Sequence, residues 1–168
     1  MSDVLTHLAA RVGERLRERG EWLATAESCT GGGIAEAVTR IAGSSTWFER
    51  GWVTYSNAAK AEELGVDPAV IAAQGAVSEA VARAMADGAR RRAGTAWALA
   101  VTGIAGPGGG SAEKPVGTVW LAWAGPAGTS AACRLFPGDR DTIRRATMES
   151  SLQRLHELLM LASPESDM

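Results

Sequence analysis

The segment Thr25-Ala26-Glu27-Ser28-Cys29-Thr30-Gly31-Gly32-Gly33 concentrates groups able to do chemistry in very few residues. A strand-forming run, Trp22 to Ala26, stops there, small polar residues and glycines follow, and a helical pattern begins at Ile34. A strand, a glycine turn and a helix start leave backbone N–H groups converging on one point, where the helix dipole adds partial positive charge. Glu27, Ser28, Thr30 and Gly31 surround that point and are candidate ligand-binding residues. Ser and Thr capping a tight strand-to-helix connection is the plain structural alternative. Cys29 has no nearby His to activate it and reads as a small packed residue.

Three later segments carry further candidates. Ala42 to Lys60 contains Gly43-Ser44-Ser45-Thr46-Trp47-Phe48-Glu49 and Gly51-Trp52-Val53-Thr54-Tyr55-Ser56. Gly75-Ala76-Val77-Ser78 comes next. Val101-Thr102-Gly103-Ile104-Ala105-Gly106-Pro107 leads to Lys114-Pro115-Val116-Gly117-Thr118-Val119. Thr46 with Glu49 fits a capping box, which would place Ser45 at a helix start. The glycine-rich loop from Gly103 to Gly110 is not a phosphate-binding P-loop, because no Gly-Lys-Ser/Thr follows.

The elements that must position these residues follow from periodicity. Leu5, Leu8, Val12 and Leu16 recur at helical spacing, and Gly20 ends that helix. A helix from Ile34 to about Ala42 follows the first turn, and Gly51 to Ser56 reads as a second strand. Two short helical pieces flank Asp67-Pro68, and Ser78 caps a helix to about Ala93. Thr95 to Val101 is apolar throughout, as in a strand buried on both faces. Val116 to Ala124 and Ser130 to Phe136 form a hairpin about Gly125-Pro126. A last helix starts near Asp139 and reaches Ala162. Residues 163–168 read as a disordered tail. Helices between early strands and a late hairpin predict a three-layer α/β/α domain with a mixed sheet of about five strands.

The 168 residues, 46% hydrophobic and 21% charged, suit one domain spanning 1–162. A net charge of −2 argues against a direct nucleic-acid surface. The N-terminus lacks the pattern of a signal peptide, and no apolar run approaches the roughly 18 residues of a membrane span. Two separated cysteines, Cys29 and Cys133, and two histidines, His7 and His156, offer no metal-ligand spacing. The expectation is a cytoplasmic protein without a metal or other cofactor. Six Trp in a small domain fit a homodimer or larger homo-oligomer.

Taken in order, AESCTGG, the Ala42–Lys60 segment, GAVS, VTGIAGP and KPVGTV resemble the CinA C-terminal domain family, whose enzymatic members are nicotinamide-nucleotide amidohydrolases. The resemblance runs from about residue 5 to about 158, implies the same α/β/α architecture, and looks like the stand-alone form of the domain. It implies hydrolysis of the carboxamide of nicotinamide mononucleotide to nicotinate mononucleotide and ammonia. Carried onto this chain, the family pattern implies Ser45 as nucleophile, Lys60 as its base and Tyr55 as a proton-transfer or positioning partner. Thr102 is implicated as a site residue, with Gly103 and Gly106 beside it. Arg140, in Gly138-Asp139-Arg140, would hold the 5′-phosphate through its guanidinium fork, with Arg144 or Arg145 as alternatives one turn on.

A lysine with an ordinary pKa of about 10.4 is almost wholly charged at neutral pH, so a base at Lys60 needs that value lowered by about two to three units. Burial or a neighbouring cation, such as the substrate's pyridinium ring, can do this. A non-catalytic nucleotide-sensing or protein-interaction module linked to DNA competence is the competing function; the presence of Ser45, Tyr55 and Lys60 together favours the enzyme. A short-chain dehydrogenase is rejected, since Tyr55 and Lys60 stand five apart rather than four and no dinucleotide glycine motif precedes them.

Overall fold

A computed structural model describes residues 3–162. The predicted tail at 163–168 lies outside the described residues. The chain begins with helix α1 (Val4–Arg19), capped by the Asp3 carboxylate and closed by Gly20 in the left-handed region. Strand β1 (Leu23–Glu27) leads into helix α2 (Gly33–Thr39). A single 3-10 turn (Ser44–Thr46) precedes strand β2 (Phe48–Val53). Helices α3 (Asn57–Leu64), α4 (Pro68–Gln74) and α5 (Glu79–Ala93) follow, then strand β3 (Trp97–Gly103). The hairpin of β4 (Thr118–Gly125) and β5 (Gly128–Leu135) leads into helix α6 (Arg140–Leu161).

The five strands form one mixed sheet in the order β2-β1-β3-β4-β5. β1 runs parallel to β2 and β3, with Thr25 opposite Gly51 on one side and Leu99 on the other. β3–β4 and β4–β5 are antiparallel. The two sheet faces differ in side-chain size. Leu23, Leu99, Val101, Leu121 and Trp123 face one way and pack with the buried residues of α1, α2 and α6. Ala24, Ala26, Ala98, Ala100, Ala122 and Ala124 face the other and pack with Val81, Ala82, Met85, Ala86 and Ala89 of α5. Alternation of large and small residues along each strand therefore builds two cores of different depth, one on each face. This is the expected three-layer α/β/α sandwich.

Two local expectations are corrected. Thr46 and Glu49 do not form a capping box: the Thr46 hydroxyl donates to the Gly43 carbonyl at 2.8 Å, and the chain enters β2 at Phe48. The second strand therefore begins three residues earlier than the sequence pattern placed it. Trp47 explains the difference. Its ring is 2% exposed and lies where a side chain on Gly13 of α1 would be, and its carbonyl accepts from Leu23 N–H at 2.8 Å. Burying one large ring against α1 outweighs a turn of helix worth about 1 kcal/mol of capping.

Candidate active site

β1 continues through α2 to β2 on one face of the sheet, and β2 continues through α3, α4 and α5 to β3 on the other. The chain thus leaves adjacent parallel strands toward opposite faces, opening a crevice at their carboxyl ends, where α/β proteins place ligands. Ser28, directly after β1, and Lys60, in the first turns of α3 after β2, meet in this crevice. Lys60 Nζ donates to Ser28 Oγ at 3.1 Å and to the carbonyls of Thr54 and Tyr55, both at 3.0 Å.

Lys60 is 1% exposed, and no carboxylate pairs with it among the described residues. Burial holds its pKa below the ordinary lysine value of 10.5. Its place near the positive end of α3, capped by Ser56 Oγ accepting from Ala59 N–H at 3.0 Å, works in the same direction. A neutral amine would keep two N–H bonds to the two carbonyls and turn its lone pair toward the Ser28 hydroxyl. That geometry suits a general base.

Glu27 organises the turn that carries Ser28. Its buried carboxylate accepts from the Thr30 hydroxyl at 2.5 Å and from the N–H groups of Ile34 and Ala35 at 2.8 and 3.0 Å. It serves as the cap that α2 otherwise lacks, since the residue before that helix is Gly32. Gly31 and Gly32 adopt positive φ of 59° and 100°, letting the chain reverse from β1 into α2. Cys29 is 5% exposed in the core, and burial pushes its thiol up to about 11, so it stays protonated at neutral pH.

The expected Ser45–Lys60 pair does not form. Ser45 is exposed in the 3-10 turn before β2, at the amino-terminal end of the parallel strands. Lys60 lies at their carboxyl ends, about 17 Å away for a five-residue strand at ~3.3 Å per residue. Ser28, read from sequence as a binding residue, takes the place at Lys60. The signal for it was its position on a sharp strand-to-helix turn, which presents a side chain at the edge of a sheet.

Tyr55 is 58% exposed at the rim, and its hydroxyl accepts from Arg140 Nη2 at 3.1 Å. Arg140, at the start of α6, also donates through Nη1 to the Gly106 carbonyl at 2.6 Å. The guanidinium thus bridges the mouth of the crevice from the end of β2 to the loop after β3. Gly106 holds φ of 82° there, and a side chain on it would collide with Val116. Thr102 is 1% exposed and donates its hydroxyl to the Ala76 carbonyl at 3.0 Å, tying the Gly75–Ser78 segment to β3. Gly103 packs against Val119 of β4, with no room for a Cβ. Thr102 shapes the wall of the site through its hydroxyl bond to Ala76, and Gly103 through its close packing on β4.

The CinA C-terminal domain profile matches residues 5–159. This chain belongs to the CinA C-terminal domain family. Among CinA-family relatives, it is 53% identical over 156 residues to a nicotinamide-nucleotide amidohydrolase of Pseudomonas putida, covering 93% of this chain and 98% of that one. It is 53% identical over 152 residues to the corresponding protein of Escherichia coli K12, covering 90% and 92%. A CinA-like protein of Anaeromyxobacter dehalogenans is 57% identical over 141 residues, which are 84% of this chain and 35% of that longer one. Solved CinA-family structures share the fold. A competence/damage-inducible protein of Agrobacterium tumefaciens superposes with TM-score 0.90 at 46% identity, covering 94% of this chain and 97% of that one. One from Klebsiella pneumoniae superposes with TM-score 0.92 at 38% identity, covering 95% and 99%.

Among the described residues, no group of three or more His, Cys, Asp or Glu side chains is placed to hold a metal ion, and no helix is long and apolar enough to cross a membrane.

Proposed function

We propose that this chain hydrolyses the carboxamide of nicotinamide mononucleotide, with Ser28 as nucleophile and Lys60 as its general base. The observation that carries the reading is the buried Lys60 amine, without a carboxylate partner among the described residues, 3.1 Å from the Ser28 hydroxyl. The amidohydrolases of Pseudomonas putida and Escherichia coli, at 53% identity over nearly the whole chain, support the substrate class.

In the first step neutral Lys60 takes the Ser28 proton as Oγ attacks the amide carbon. The tetrahedral intermediate collapses when Lys60 returns that proton to the departing nitrogen, releasing ammonia and leaving nicotinate mononucleotide as an ester on Ser28. Lys60 then takes a proton from water, the hydroxide adds to the ester, and the proton returns to Ser28 as the free acid leaves. The substrate assists both steps. Its cationic ring opposes protonation of Lys60 and withdraws electrons from the carbonyl under attack. Arg140, exposed at the mouth, is the anchor for the 5′-phosphate, with Tyr55 holding its guanidinium in place. A nucleotide substrate and two unpaired cysteines, one buried and one exposed, fit a cytoplasmic setting.

The deciding measurement is ammonia release by purified protein with nicotinamide mononucleotide, nicotinamide riboside and NAD side by side. Mass spectrometry would follow replacement of the amide nitrogen by oxygen. Turnover of the mononucleotide that disappears in Ser28→Ala is expected; release no faster than in Ser28→Ala would overturn the reading.

A further inference from the structure

Arg144 stands one helical turn beyond Arg140 on α6, but its guanidinium reaches the turn after β1. Nε donates to the Cys29 carbonyl at 3.2 Å and Nη2 to the Thr30 carbonyl at 3.1 Å. The ion pairs nearby on α6 belong to Arg145, with Asp3 and Glu149. Among the described residues no carboxylate pairs with Arg144, so its fork is committed to two consecutive carbonyls of the turn that carries Ser28.

A planar trans peptide points its C=O and N–H in opposite directions. Holding the Cys29 carbonyl toward Arg144 therefore turns the Thr30 N–H to the other side. A cation on the carbonyl oxygen also draws electrons through the peptide and strengthens that N–H as a donor. The Thr30 carbonyl belongs to the next peptide, whose Gly31 N–H donates to the Ser28 carbonyl at 3.1 Å and closes the turn. Elsewhere in the segment Ser28 N–H donates to Val101, Gly33 N–H to Thr30, and those of Ile34 and Ala35 to Glu27. The N–H groups of Cys29 and Gly32 meet no acceptor among the described residues; of the N–H groups left without one, only that of Thr30 belongs to a peptide whose carbonyl Arg144 holds. No backbone or side-chain acceptor takes the Thr30 N–H among the described residues.

We propose that Arg144 is a positioning residue for the hydrolysis: it fixes and polarises the peptide groups after Ser28, so that the Thr30 N–H is presented to the oxyanion formed when Ser28 attacks. This rests on Ser28 as nucleophile. Arg140 and Arg144 then divide the work of α6, the first acting on the substrate and the second on the backbone that receives developing charge.

Two readouts separate this inference from the substrate assignment. The first is steady-state turnover of nicotinamide mononucleotide. The second is the rate at which a small fluorophosphonate labels Ser28, located by mass spectrometry. Labelling needs the same serine and the same oxyanion donors but no nicotinamide. Arg144→Met should slow both by about 10- to 100-fold with KM little changed, less than outright removal of an oxyanion donor. Arg144→Lys, which keeps the charge but not the fork, should fall between. Added guanidinium ion should restore part of the rate in Arg144→Ala, which a merely structural loss would not allow. Wild-type labelling rates in Arg144→Met, or no labelling of Ser28 in the wild type, would overturn the inference. Labelling that depends on Arg144 in a protein that leaves the mononucleotide intact would uphold it while rejecting the substrate.

Discussion

Lys60 and Ser28, 32 residues apart in sequence, meet at 3.1 Å because parallel strands β1 and β2 end side by side. Ser45 is nearer to Lys60 along the chain, yet β2 runs between them and carries the two to opposite ends of the sheet. Ser28→Ala should therefore fold and bind substrate but lose at least about 10³-fold in kcat, since only the nucleophile is removed. Ser45→Ala, at an exposed turn, should stay within about twofold of wild type. Steady-state kinetics on both variants checks this, and the opposite ranking would return the nucleophile to Ser45.

Lys60 should act in its neutral form. Its pKa is lowered by burial, so kcat/KM should rise with pH along a limb centred below 10.5. The limb in kcat should lie lower still, because the bound pyridinium adds a second cation. Lys60→Arg keeps charge but cannot give up its proton, and should lose most activity. Between the lowered folded value and 10.5 the unfolded chain binds more protons than the folded one, so stability contributed at this site rises with pH. Denaturation across that window should show wild type gaining on Lys60→Met as pH increases.

Glu27 spends both carboxylate oxygens on the turn and on the start of α2. In Glu27→Gln one oxygen becomes an NH2 group facing a buried backbone N–H. That leaves a donor against a donor, at a cost of about 1–3 kcal/mol. Denaturant unfolding should register the loss, and kcat should fall with it because Ser28 sits on the same turn.

Arg140 should set the preference for a phosphorylated substrate. The mononucleotide and the riboside share the reacting amide and ring and differ in the 5′-phosphate. A charge-assisted contact worth about 1.5–3 kcal/mol corresponds to roughly 10- to 150-fold in kcat/KM. Arg140→Ala should lose that factor on the mononucleotide and little on the riboside. Equal losses on both would place Arg140 in the scaffold through its bonds to Tyr55 and Gly106.

Most of the elements and the family were legible in the sequence, which also named the candidate site residues without pairing them. Helical spacing in α1, the apolar run of β3 and the glycine turn after β1 are local patterns, and local patterns survive in one dimension. The sheet order was outside their reach, as was the fact that alanines at alternate positions of β1, β3 and β4 face a single helix, α5. The entry into β2 departs from the local pattern because Trp47 is buried against Gly13, a residue 34 positions away, in place of a good local cap. Pairing within the site was decided by tertiary structure alone. Which serine meets Lys60 depends on the direction and adjacency of β1 and β2, and which arginine reaches Tyr55 and Gly106 and which the turn after β1 depends on how α6 packs against the sheet. Those are relations between distant segments, fixed by the packing of the two cores rather than by any spacing along the chain.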